Sequence, residues 1–188
     1  FFQQAVGINV VLYYAPRIFE NLGATGDVSM KQTVVMGFVN IIFTLVAIFT
    51  VDKFGRKPLL IIGSVGMMIG MAALSVLSFM DVIGITALVF IIIYTASFMM
   101  SWGPITWVLI SEIFPNTIRG QAVAIAVAAQ WITNFLVSST FPSLSEWSTG
   151  GAYLIYAFFS LLSGIFVYKM VPETKGKTLE DMTRLWRK

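Results

Sequence analysis

The 188 residues include no cysteine and no histidine, and only 11% of them are charged. Without cysteine there are no disulfides, thiol nucleophiles or thiolate metal sites. Without histidine, Ser-His dyads and His-metal sites fall away, as does the side chain that most readily titrates near neutral pH. What remains is 57% apolar, against about 45–50% apolar and about 25% charged in an average soluble domain. A domain of this length still needs a polar skin, so the excess excludes a soluble globular fold, and it excludes disorder as well. The net charge of +3 suggests nucleic acid only until the charges are placed along the chain.

Six stretches are long and apolar enough to cross a bilayer as helices, which takes about 20 residues each. They are 1–22, about 33–51, 59–80, about 85–110, about 118–139 and about 152–171. The connections between them, 23–31, 52–58, 81–84, 111–117 and 140–151, leave no room for a soluble domain. The expected fold is therefore an all-α membrane bundle over 1–171, with a tail over 172–188. In that tail, Leu179, Met182, Leu185 and Trp186 stand at helical spacing behind a cap-like Thr178 and Asp181, which predicts a short surface helix.

Six spans alternate their connections between two sides. One side holds Lys53, Arg56, Lys57, Arg119, Lys169, Lys175, Lys177, Arg184, Arg187 and Lys188, and the other only Arg17 and Lys31. Ten basic residues against two, close to helix ends, place the C-terminus in the cytoplasm. The positive charge is topogenic, so no nucleic-acid partner is expected. The chain opens on Phe1-Phe2-Gln3-Gln4, inside an apolar span and without a Met, basic flank or signal-peptide architecture, which predicts a chain cut just inside a helix.

Polar groups within spans are costly and usually face a bundle interior or a water-filled path. The first span holds Gln3, Gln4, Asn9, Tyr13 and Tyr14. At about 100° per residue a straight helix would scatter them over most of its circumference. Gly7 permits a break there, and interrupted helices near the midplane are a transporter device. Ligand contact and interhelical hydrogen-bond glue both fit these residues. In the fourth span, Trp102-Gly103-Pro104-Ile105-Thr106-Trp107 predicts a bend at Pro104. Its indoles suit a sugar, with an apolar face for ring C–H groups and an N–H for a hydroxyl, although Trp107 also fits an interfacial belt. In the fifth span Gln130, Asn134 and Ser138 form a polar stripe beside Trp131. Gly63, Gly66, Gly70 and Ala73 in the third span form a helix-packing signature. The opposite charges stand at helix ends: Asp52 four residues before Arg56, and Glu112 before Arg119. They read either as a gate or as solvated charge.

The segments Gln3-Gln4-x-x-Gly7-x-Asn9-x-x-x-Tyr13-Tyr14, 52–58, Gly103-Pro104-x-x-Trp107, 111–120, Gln130-Trp131 and Pro172-Glu173-Thr174-Lys175-Gly176 occur in order across the whole chain. Together they resemble the sugar porter family of the major facilitator superfamily. The resemblance implies that the six spans are helices seven to twelve of a twelve-helix carrier whose N-terminal half is absent. It further implies that Gln3, Gln4 and Asn9 bind sugar hydroxyls beside Tyr13 in the outer gating region. Trp107 would lie beneath the sugar, Gln130 and Trp131 would complete the pocket, and Phe98 would form an aromatic wall. Asp52, Arg56, Glu112, Arg119 and Glu173 would form a cytoplasmic charge network that latches one state.

The expected function is the C-terminal half of a secondary sugar transporter in a bacterial inner membrane, moving a pentose or hexose with protons. No catalytic residue, metal or cofactor is expected. A membrane enzyme is disfavoured by the missing His and Cys and by the lack of a mid-span carboxylate. A facilitative uniporter and a non-transporting membrane sugar sensor are the alternatives. Proton coupling would reside in the N-terminal half, because all nine acidic residues stand at or beyond the predicted helix ends.

Overall fold

A computed structural model describes residues 1–21, 26–81 and 84–177, and α-helix is the regular element among them. The predicted surface helix from Thr178 to Trp186 lies outside the described residues, as do Arg184, Arg187, Lys188 and the side chain of Arg17. The order is α1 (Phe2–Ala5), α2 (Ile8–Asn21), α3 (Gly26–Phe54), α4 (Arg56–Phe79), α5 (Ile85–Met100), α6 (Trp102–Ile113) and α7 (Arg119–Met170). Helices or helix pairs long and apolar enough to cross a membrane run over Met30–Phe54, Arg56–Phe79, Ile85–Ile113 and Arg119–Met170.

The 52 residues of α7 would measure about 78 Å as one straight rod, more than twice the roughly 30 Å of a hydrocarbon core. They do not form one rod. Ser148 has φ −167° and ψ 112°, and the chain bends back there. The rings of Phe141 and Tyr156, fifteen positions apart, consequently lie 6.4 Å from each other. The two arms supply the fifth and sixth spans.

This corrects the expected connection at 140–151, which is helical apart from the bend. Pro142 sits inside the first arm. It cannot donate to the carbonyl of Ser138, four residues back, and the hydroxyl of Tyr14 donates to that carbonyl instead, at 3.3 Å. After the bend, Ser148 Oγ accepts from the N–H of Gly151 at 3.0 Å and caps the second arm. Two other connections are also shorter than expected. Helix α3 begins at Gly26, and Gly55 alone separates α3 from α4.

Helix α4 is the packing spine, in contact with α5 and α7. Its small residues explain why. A Cβ on Gly63 or Gly66 would run into the hydroxyls of Ser101 or Ser97, and one on Gly70 would come within 2.8 Å of Tyr94 Cβ. The glycines let the two backbones approach closely, as the spacing predicted. On its other side, Ser64 Oγ lies 3.0 Å from Ser163 Oγ, and Ser75 Oγ donates to the carbonyl of Gly150 at 2.7 Å. By contrast α3 leaves Phe38, Ile41, Ile42, Leu45, Ile48 and Phe49 exposed.

Candidate functional site

Two helix breaks face each other in the bundle. The first span breaks at Gly7, whose φ of +89° is open to glycine. A side chain there would also strike Tyr156, since a Cβ would fall 2.8–3.1 Å from three of its ring carbons. The fourth span breaks at Ser101 (φ −132°, ψ −89°), one turn before Pro104, where the proline ring and its missing N–H disturb the preceding turn. The breaks are tied to one another. Gln3 Nε2 donates to the carbonyls of Trp102 and Gly103 at 2.8 and 3.1 Å. In return, the buried Tyr94 of α5 donates its hydroxyl to the carbonyl of Val6 at 2.8 Å.

The predicted sugar contacts divide around this junction. Gln3 is buried, and its Oε1 has no hydrogen-bond partner among the described residues. Gln4 Oε1 accepts from Asn9 Nδ2 at 2.5 Å, so these two amides bridge the break at Gly7. Tyr13 and Trp131 are brought together in a cavity of about 330 Å³ that Tyr14, Asn134 and Ser138 also line. Ser138 Oγ donates to Asn134 Oδ1 at 3.1 Å, which preserves part of the predicted stripe. Gln130 is partly exposed on α7 and does not line that cavity. Trp107 is 45% exposed on α6. Phe98 is buried in the core, its ring 3.4 Å from where a Cβ on Gly103 would stand.

The indoles of the Trp102–Trp107 segment part company. Trp102 is buried, and its N–H is satisfied by Ser64 Oγ at 2.8 Å and the carbonyl of Leu60 at 3.2 Å, so it anchors α6 to α4. Trp107 is the accessible one. Sequence reasoning missed Asn40 on α3, whose buried Oδ1 has no partner among the described residues and which lines a cavity of about 260 Å³ with Ile41, Thr44 and Leu45. A lone Asn in an apolar run was the available signal.

The charge network lies at the end where α3 meets α4 and where α6 and α7 terminate. Arg56 grips Glu112 with both arms of its fork, Nη2 to Oε1 at 2.8 Å and Nε to Oε2 at 3.1 Å. This is the stronger, bidentate form of the pair. Asp52 Oδ1 adds a contact to Nη1 at 3.1 Å, but its side chain is 80% exposed. Thr174, part of the Pro172–Gly176 motif but given no role of its own from the sequence, donates to Glu112 Oε2 at 2.6 Å. One carboxylate thus joins α4, α6 and the segment after α7.

Glu173 stands beside this pair and holds backbone. Its carboxylate accepts from the backbone N–H groups of Arg56, Lys57 and Lys175 at 3.0, 3.0 and 2.9 Å, capping α4 from a distant stretch of chain. Gly55, with φ +91°, admits it, since a Cβ there would fall 2.6 Å from Oε2. Partial burial alone would raise the carboxyl's pKa, but the backbone donors outweigh it and hold the group below its ordinary value. The ammonium of Lys175 donates to the carbonyl of Lys53. Arg119 donates to the carbonyl of Phe114 at 3.4 Å and forms no ion pair with Glu112. Its buried Nε has no hydrogen-bond partner among the described residues. Among those residues no group of His, Cys, Asp and Glu is arranged to hold a metal.

The family model described as "Sugar (and other) transporter" matches residues 1–186. Over 192 aligned residues the chain is 55% identical to the D-xylose-proton symporter of Escherichia coli K12, covering 98% of this chain and 39% of that protein. It is 47% identical to the glucose facilitated diffusion protein of Zymomonas mobilis, covering 99% of this chain and 41% of that one. The structure of a major facilitator superfamily proton:xylose symporter bound to 6-bromo-6-deoxy-D-glucose superposes with a TM-score of 0.90 at 55% identity, over 98% of this chain and 40% of the other. The chain therefore spans about two fifths of the length of the relatives it matches.

Proposed function

The chain belongs to the sugar transporter family, and from that premise we propose that it forms the C-terminal six-helix half of a secondary sugar carrier. The carrier moves a pentose or hexose in symport with protons by rocking two bundles about a midplane site. The observation that carries this reading is the 55% identity, across 98% of the chain, to a proton:xylose symporter. The geometry supports it: the side chains that join or bridge the two breaks, Gln3, Gln4, Asn9 and Tyr94, are neutral amides and a hydroxyl. A sugar has no net charge, so neutral groups that both donate and accept can replace its water shell.

In this reading Gln4, Asn9, Gln130 and the unpartnered Oε1 of Gln3 supply polar contacts, joined by Asn40. Trp107, Trp131 and Tyr13 offer aromatic surface, while Phe98 backs the α6 break from the core. The basic end faces the cytoplasm: Lys53, Arg56, Lys57, Arg119, Lys169, Lys175 and Lys177 all gather there, while Lys31 stands at the opposite end. Asp52, Arg56, Glu112 and Thr174 latch that end, Glu173 capping α4 beside them, and Arg119 joins when the opposite bundle closes against it.

Proton coupling is assigned to the N-terminal half. The described acidic residues, Glu20, Asp27, Asp52, Asp81, Glu112, Glu146 and Glu173, lie near helix ends or connections, whereas a coupling group needs to titrate within the membrane. The same distribution, with the likeness to a facilitated diffusion protein, favours uniport as the second reading. Proteoliposomes containing the complete carrier separate the two. Symport predicts sugar accumulation driven by an imposed pH difference, and uniport predicts equilibration alone.

A further inference from the structure

Two cavities lie away from the polar junction. One, of about 400 Å³, runs between α4 and the second arm of α7, lined by Ile61, Val65, Met68, Leu161, Ile165 and Tyr168 among others. The next, of about 550 Å³, shares Met68 and Leu161 with it and reaches Leu154. Together they make one apolar groove. From Leu154 to Lys169 an α-helix advances roughly 22 Å, longer than the roughly 15 Å of one leaflet in a 30 Å hydrocarbon core. None of the predicted sugar contacts lines it.

The mouth of the groove is cationic. Lys169 lines it, and Lys57 Nζ lies 5.8 Å from the centre of the Tyr168 ring. Lys57, Ile61, Val65 and Met68 recur at three- or four-residue steps, so on α4 the ammonium and the apolar floor share one face. The neighbouring carboxylates are engaged elsewhere, Glu173 on backbone N–H groups and Glu112 and Asp52 on Arg56.

We infer that this groove binds an anionic phospholipid, one acyl chain lying between α4 and the second arm of α7 and the phosphate held at Lys57 and Lys169. Two lysines favour a net negative headgroup over a zwitterionic one, whose own ammonium or choline meets like charge. Long lysine side chains at a helix end reach naturally to the headgroup level. The inference rests on the membrane reading above and, for the choice of leaflet, on the cytoplasmic placement of the basic end.

The test uses the complete carrier in detergent, incubated with 16:0/18:1 phosphatidylglycerol or the matching phosphatidylcholine and examined by native mass spectrometry. At least one phosphatidylglycerol should be retained in preference to phosphatidylcholine, and K57Q/K169Q should lower that retention several-fold. A phosphatidylglycerol with a diazirine in its acyl chain should label peptides holding Ile61–Met68 and Leu161–Tyr168, and Leu161→Trp should remove the label by filling the groove. The photolabel on unaltered protein decides the matter even where a variant fails to fold. Equal retention of the two lipids, retention unchanged in K57Q/K169Q, labelling confined to other helices, or cross-links to a second copy at this face would overturn the proposal. Sugar counterflow in proteoliposomes made from the same purified protein reports the transporter reading separately, so failure of one is not mistaken for failure of the other.

Discussion

The side-chain amide of Gln3 donates to the carbonyl of Trp102 at 2.8 Å, joining the break in the first span to the break in the fourth. A residue expected to face sugar therefore holds backbone through Nε2, while its Oε1 has no partner among the described residues. Substituting Gln3→Leu removes both bonds; the carbonyl of Trp102 keeps the hydroxyl of Thr106 at 2.7 Å, so the cost is that of lost hydrogen bonds, about 0.5–1.5 kcal/mol each. The melting temperature of the sugar-free carrier should fall. A sugar-free melt identical to the parent's would show that Gln3 acts on ligand alone.

Gly7 offers a second check. Alanine there meets both a left-handed φ and the ring of Tyr156, a combination costing on the order of 1–3 kcal/mol or more. Gly7→Ala should destabilise the carrier strongly, and Tyr156→Leu in the same chain should restore only the part due to the clash. Full recovery in the double variant would mean that the backbone conformation is not strained.

The proposed latch predicts a separation of binding from transport. Glu112→Ala releases Arg56 and Thr174 together and should bias the carrier toward the state open at that end. Transport should collapse while equilibrium sugar binding persists. Joint loss of both, measured by calorimetry and by counterflow, would identify misfolding or a ligand role for Glu112.

Glu173 predicts an acid dependence of definite sign. Its carboxyl titrates below the ordinary 4.5 in the folded chain, so the folded state binds the proton less readily than the unfolded one. The stabilisation is complete above the unfolded pKa and is lost as pH falls through the folded value. Melting temperatures followed from pH 6 to pH 3 should decline less steeply in Glu173→Gln than in the parent. Parallel curves would contradict the cap.

Much of the fold was legible because a bilayer imposes length and apolarity on every span, and because Gly7, Pro104 and the Gly63–Gly70 spacing carry local rules. The Arg56–Glu112 pair was readable too, as opposite charges at helix ends. Partner choice was not. The Pro142 turn reads as a loop until Tyr14, 128 positions earlier, is seen donating to Ser138. Glu173 looks like an ion-pair partner until the N-terminus of α4 is found beneath it. Nothing local distinguishes Trp102 from Trp107, and only the packing of α4 against α6 buries one and leaves the other open.

The most direct measurement is calorimetric titration of D-xylose and D-glucose into the complete carrier, compared with its Gln130→Ala variant. The parent should bind at least one sugar, and the variant should bind it more weakly by about 1–3 kcal/mol as a polar partner is lost, roughly 5- to 150-fold in Kd. Equal affinity in parent and variant, or no binding of either sugar by the parent, would contradict this.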